Sequence, residues 1–170
     1  ALTPVLSKWD AGPTSAITRS VRRLVTSGHG TPPVGRGKIV NILIQGGGRG
    51  IGLALARRAL AAGAERLVIT ARQPEASPAH AELAADPRIT FLAMDVTDDA
   101  GIRAACAATR DILPRLDRVI CTSGILREGE IRPEKRIADI DAEALVRLYR
   151  VNALGPMLLA RELWPLLRGD

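Results

Sequence analysis

"IVNILIQGGGRGIGLALA" (residues 39–56) is the stretch on which the fold turns. A β-branched apolar run meets five glycines within the nine residues 44–52, and a Leu/Ala-rich segment follows. Glycine loses more backbone freedom on folding than any other residue, so five at one junction require a cause. A strand that bends sharply into a helix supplies it. Gly46 would permit the bend, Gly50 would let backbone N–H groups approach an anion, and Gly52 would let the helix sit close to the strand. The free N–H groups and positive dipole end of the helix would then hold phosphate charge.

Outward from this turn, strand and helix patterns alternate. "KIVNILIQ" (38–45) is the first strand, and "GLALARRALAAGA" (52–64) is a helix closed by Gly63. "RLVITA" (66–71) is a strand, "SPAHAELAAD" (77–86) a short helix and "RITFLAMD" (88–95) a third strand. A helix over 98–113, a fourth strand "RVICTS" (118–123), a loop over 124–140 and a long helix over 141–168 complete the pattern, with Pro156 and Pro165 inside that last helix. Strands and helices at this spacing predict an α/β fold, a Rossmann-type doubly wound parallel sheet, here incomplete at about four strands. A Gly-rich turn in that context points to a pyrophosphate-binding loop, with Gly46, Gly48, Arg49, Gly50, Ile51 and Gly52 as its candidate residues.

Cofactor preference is read from the end of the second strand. An acid there would accept hydrogen bonds from the adenosine ribose of NAD. Here Ala71 is followed by Arg72, and Arg49 lies inside the glycine loop. Two guanidiniums and no carboxylate suit a 2′-phosphate, so NADP(H) is expected in preference to NAD(H).

These segments together resemble the short-chain dehydrogenase/reductase family over residues 39–170. "QGGGRGIG" (45–52) is similar to its T-G-x-x-x-G-I-G loop, with Gln45 in place of Thr. "MDVT" (94–97) matches the family's Asp after the third strand, which implies Asp95 and Val96 beside the adenine. "DRVICTSGI" (117–125) resembles D-x-L-V-N-N-A-G-I, with Cys121, Thr122 and Ser123 where Asn-Asn-Ala is usual; Ser123 and Gly124 join the implied cofactor contacts. "VNALGP" (151–156) resembles the helix segment carrying the family's catalytic Asn, here Asn152. "GIL" (124–126) with "PEKRIADIDAEAL" (133–145) is similar to the C-factor-like branch.

The resemblance implies a hydride-transfer oxidoreductase, in which a Ser, Tyr and Lys perform acid–base work, the last two as Y-x-x-x-K. The chain's one tyrosine, Tyr149, is followed four residues on by Ala153, and its lysines are Lys8, Lys38 and Lys135. In the family that unit lies on the next strand and helix, so these 170 residues alone are expected to be inactive. The alternative is a non-catalytic accessory subunit of a larger assembly, in an organelle such as the mitochondrion. The 141–168 helix bears apolar residues on nearly all faces, so four strands and three helices could cover only one side of it. A homo-oligomer, or docking to another subunit through this helix, is the expected partner arrangement.

Composition bounds the rest. Hydrophobic residues make up 46% of the chain and aromatics 2%, so the core must be built from Ala, Leu, Ile and Val. The net charge of +6 is concentrated in residues 1–38, where six basic residues face one acid, while 39–170 are nearly balanced. Nucleic-acid binding needs a basic face on the fold, and is disfavoured. The basic, hydroxyl-rich extension 1–37 reads equally as an organellar targeting segment and as a disordered or partner-docking tail, and because the chain begins with Ala1 an upstream segment is expected. No apolar run suggests a membrane span, so a soluble protein of the cytoplasm or an organelle is expected. Cys106 and Cys121 fall in no ligand spacing and read as buried reduced thiols, and with His29 and His80 far apart no metal site is expected.

Overall fold

The computed structural model describes residues 41–168. The expected extension 1–37 and the first residues of the 38–45 strand lie outside the described residues. Four parallel strands, β1 (Asn41–Gln45), β2 (Arg66–Ala71), β3 (Ile89–Ala93) and β4 (Arg118–Cys121), form one open sheet in the order β3-β2-β1-β4. The chain therefore winds outward from β1 in one direction, then crosses back to β4 on the other side. Ile44 pairs with both Ile69 and Ile120, which fixes the central register. The expected doubly wound parallel sheet is what the chain builds.

β1 is buried at every position, as a central strand covered on both faces must be. Leu43 and Val68 point to one face, where Ile102, Cys106, Leu159 and Leu163 close over them. Ile42, Ile44, Leu67 and Ile69 point to the other, against Ala56 and Ala64. Two layers of helix on one sheet require near-continuous aliphatic strands, and "NILIQ" and "RLVITA" supply them.

α1 (Gly50–Ala61) begins within the glycine loop, two residues before the expected helix start. It stops where expected: Gly63 adopts φ +87°, its N–H bonds to Leu60 O, and Ala64 N–H bonds back to Ala59 O. This paired closure satisfies carbonyls that the helix end leaves free. α2 (Pro78–Leu83) is shorter than the pattern suggested; Ser77 Oγ caps it by accepting from His80 N–H at 3.1 Å. His80 packs edge-on against Phe91, with centroids 5.0 Å apart. α3 (Asp99–Ile112) is capped by Asp98, whose Oδ1 accepts from Ala100 N–H at 3.0 Å.

Three expectations are corrected. The fourth strand ends at Cys121, so Thr122 and Ser123 belong to the loop beyond it. Cys121, the last residue of β4, is exposed; Cys106 is buried as expected. The long helix is not one α-helix. α4 (Ala142–Tyr149) passes into a π-helical turn, Arg150–Leu154, before α5 (Gly155–Arg168). Pro156 has no N–H to offer the carbonyl of Asn152, and its ring would collide with that carbonyl in an α-helix. Widening to a π turn removes the conflict.

α5 buries Leu159, Leu163 and Leu166 against α3 and the sheet. The opposite side of α4 and α5 stays exposed through Leu145, Val146, Tyr149, Met157 and Trp164, with Val146 at 69% and Trp164 at 57%. Among the described residues, no helix is long and apolar enough to cross a membrane.

Candidate functional site

The C-terminal ends of the parallel strands open into a cleft of about 890 Å³. In an open α/β sheet, this is where the chain reverses direction between β1 and β4 and leaves a crevice. The glycine loop forms its floor. Gly46 takes φ +79°, and a Cβ there would lie 2.8 Å from Ser123 Oγ and 2.9 Å from Ser123 N. At Gly52 a Cβ would lie 2.5 Å from Gly46 O and 2.7 Å from Gly47 Cα. Helix α1 thus sits on the end of β1 closer than any side chain permits.

Gly50 differs from both. It takes φ +54°, and a Cβ there would meet nothing within 4 Å. The space beside it opens to the cleft, so a ligand could come up against the backbone there. Arg49, the N-cap, makes no side-chain cap bond. The first N–H groups of α1 have no intrahelical partner and point a positive dipole end at the crevice. Ile51 is 76% exposed at its rim.

All eleven sequence-derived contact candidates line this one cleft: the six of the glycine loop, then Arg72, Asp95, Val96, Ser123 and Gly124. Asp95 follows β3, and its Oδ1 accepts from Thr97 N–H and Thr97 Oγ1, each at 2.8 Å. Burial pushes the Asp95 carboxyl up, but those two hydrogen bonds and the charges of Arg72 and Arg147 outweigh it and hold it below the ordinary carboxylate value. It is an anion at neutral pH.

Asn152 does not line the cleft. Its side chain instead clamps the loop after β4, accepting from Ile125 N–H at 2.7 Å and donating to Ile125 O at 2.8 Å. Arg150, in the same π turn, donates to Thr97 O at 3.2 Å and pairs with Asp99.

The cleft also holds contacts that local sequence patterns did not reveal. Gln45 is buried beneath the glycine loop; its amide donates to Ser123 Oγ, and its Oε1 accepts from Ser123 N–H at 3.4 Å. Thr122 donates both its N–H and its hydroxyl to Gln45 O, at 2.9 and 2.8 Å. Gln45, Thr122 and Ser123 each depart from the usual family residue, and together they form one network. Glu128 and Arg147 line the wall opposite and pair with each other. No spacing could have paired them, since one is on a loop and the other on a helix 19 residues on.

The short chain dehydrogenase family model matches residues 40–170. Dehydrogenase/reductase SDR family member 13 of Homo sapiens is 33% identical over 138 residues, which is 79% of this chain and 33% of that protein. Two solved structures superpose on the chain. A carbonyl reductase from Pseudomonas aeruginosa in complex with NADP has a TM-score of 0.63 and 33% identity, over 75% of this chain and 56% of that one. The NADPH-bound carbonyl reductase from chicken fatty liver has a TM-score of 0.66 and 26% identity, over 78% and 51%. The chain spans less than half the length of the curated relatives it matches.

Proposed function

The chain belongs to the short-chain dehydrogenase family, and from that premise we propose that residues 38–170 bind NADP(H), in preference to NAD(H), in the cleft over the strand ends. One observation carries the preference. Arg49 and Arg72 both line the cleft, and the last residue of β2, where an acid would select for a free ribose hydroxyl, is Ala71. When bound there, the nicotinamide is the hydride donor or acceptor of an oxidoreductase reaction.

The residues have separable tasks. Gly50 and the start of α1 receive the pyrophosphate. Arg49 and Arg72 flank the adenosine 2′-phosphate with charge-assisted hydrogen bonds. Asp95, whose hydrogen bonds from Thr97 both fall on Oδ1, keeps Oδ2 as an acceptor for the adenine amine. Val96 covers the base, while Ser123 and Gly124 border the nicotinamide end. The acid–base pair Y-x-x-x-K is not among these 170 residues. Their part is to hold and orient the cofactor, without turnover by themselves.

Titration of the chain with NADPH and NADH by calorimetry tests this. Tighter binding of NADPH is expected; equal affinities would defeat the preference, and no binding of either would defeat the cofactor assignment.

A second reading, the accessory subunit, is favoured by the exposed apolar stripe Leu145, Val146, Tyr149, Met157 and Trp164. Exposed apolar residues of that kind mark a surface that something else covers, whether further chain, a second copy or a different subunit. Light scattering on the wild type and on Trp164→Glu tests it: an assembly that the substitution disperses is expected, and a monomeric wild type speaks against self-association.

A further inference from the structure

One wall of the cleft is unexplained by the glycine loop and by the two arginines that flank it. Glu128, in the loop after β4, and Arg147, on α4, meet there in a two-point ion pair. Arg147 Nε lies 2.7 Å from Glu128 Oε2, and Nη2 lies 3.2 Å from Oε1. Both side chains are about one-third exposed, at 36% and 34%, and both line the cleft beside Asp95, Arg72 and Val151. The charge of Arg147 acts on Asp95 as well as on Glu128, and that of Arg72 acts on the same two carboxylates. Four groups of alternating sign therefore gather at the end of the cleft beyond β2 and β3.

An ion pair this accessible to water adds little to stability, which does not account for its position. Nor is Arg147 needed to fasten this helical segment to the loop after β4, since Asn152 holds that loop through Ile125 N–H and O. Arg150 fastens the other side, through Thr97 O and Asp99 after β3. What the pair does is fix a plane. A guanidinium held along its N–H edge by a carboxylate is restrained from rotating, which presets a flat face for stacking.

We propose that Arg147 is a further binding residue for the adenosine half of the dinucleotide, its guanidinium face lying on the purine, with Glu128 as the positioning residue that sets its plane. This inference rests on the cofactor reading above. It divides the adenosine end between two arginines: Arg72 meets the 2′-phosphate, and Arg147 meets the base. Arg147 therefore adds affinity for NADPH and NADH alike, whereas Arg72 discriminates between them.

The full 170-residue chain is titrated by calorimetry with NADPH, NADH, adenosine 2′,5′-bisphosphate and reduced nicotinamide mononucleotide, and melting temperatures are recorded in parallel. Arg147→Met should weaken the three adenosine-bearing ligands about tenfold each, the worth of a stacked guanidinium, and leave the mononucleotide within about twofold. Arg147→Lys keeps the charge and a partner for Glu128 but loses the plane, so it should lose nearly as much while melting like the wild type. The swap of Glu128→Arg with Arg147→Glu restores an ion pair and should not restore affinity. Wild-type affinity in Arg147→Lys or in the swap would overturn the proposal, because charge or tethering alone would then suffice. So would a loss in Arg147→Met confined to the 2′-phosphorylated ligands. Failure of the wild-type chain to bind any of the four would overturn the cofactor reading, and this inference with it.

Discussion

Replacing Gly52 by Ala should destabilise the fold, and Gly101→Ala is the matched control. Each glycine is the third residue of its helix, α1 or α3, so each substitution gains up to about 1 kcal/mol of helix propensity. What the new methyl meets decides the sign. At Gly101 the nearest atom is Asp98 Oδ2 at 2.8 Å, the outer oxygen of a carboxylate that caps through Oδ1 and can turn aside. At Gly52 the methyl meets Gly46 O at 2.5 Å, Gly47 Cα at 2.7 Å and Thr122 Oγ1 at 2.8 Å. Two of those three are backbone of the glycine loop, pinned because Gly46 and Gly47 N–H both bond to Thr70 O. Overpacking against atoms that cannot move costs about 1–3 kcal/mol and sometimes more. The net loss for Gly52→Ala is then roughly 1–2 kcal/mol, and Gly101→Ala should lie within about 0.5 kcal/mol of the wild type or above it. With a urea slope of about 1.5 kcal/mol per molar, Gly52→Ala moves the midpoint down by roughly 1 M. An unfolding midpoint for Gly52→Ala equal to or above that of Gly101→Ala would refute the close approach of α1 to β1 as the reason for that glycine.

Two further outcomes follow from the site and the sheet edge. Arg72→Met should weaken NADPH by about 10- to 100-fold, the worth of a charge-assisted bond, and leave NADH within about threefold in the same titration. Iodoacetamide should label Cys121 in the folded protein and reach buried Cys106 only in urea, read by intact mass. Partial desolvation pushes the Cys121 thiol above its ordinary value, and burial pushes that of Cys106 up to about 11, so Cys121 labelling should rise about tenfold from pH 7 to pH 8.

The central fold was open to sequence reading because its cues are local. Aliphatic strands, the glycine-rich turn and the Gly63 closure each declare themselves within a few residues. The eleven candidate contacts converge for the same reason: they sit at strand ends, and a parallel sheet brings all its strand ends to one side. Hidden features are those set by distant partners. The Gln45–Ser123 tie joins residues 78 apart, so Gln45 reads in sequence as a lapse from the family's Thr when it is in fact one half of a network. The exposure of Cys121 could not be seen because an apolar strand does not say which of its residues the rest of the fold covers. Pro156 was visible, but not that the helix would answer it with a π turn instead of a kink.

That turn braces both walls of the cleft. Asn152 holds Ile125 on the β4 side, and Arg150 holds Thr97 and Asp99 on the β3 side. Gly155 lies so close to Val96 that a Cβ would be 2.5 Å from Val96 O. If the brace is real, removing one arm should loosen one wall and spare the other. Asn152→Ala deletes both bonds to Ile125, each worth about 1 kcal/mol, so the Ile125 amide should exchange roughly 30-fold faster. Asn152→Asp keeps the acceptor for Ile125 N–H and loses only the donor to Ile125 O, so protection of that amide should largely survive. The Thr97 amide, bonded to Asp95 Oδ1 and steadied by Arg150 instead, should exchange at the wild-type rate in both. Hydrogen exchange followed residue by residue by NMR reads all three. Unchanged protection of Ile125 in Asn152→Ala would mean that the π turn passes beside the cleft without supporting it. Equal loss at Ile125 and Thr97 would mean that the substitution had undone the whole turn, and that the two arms are not independent.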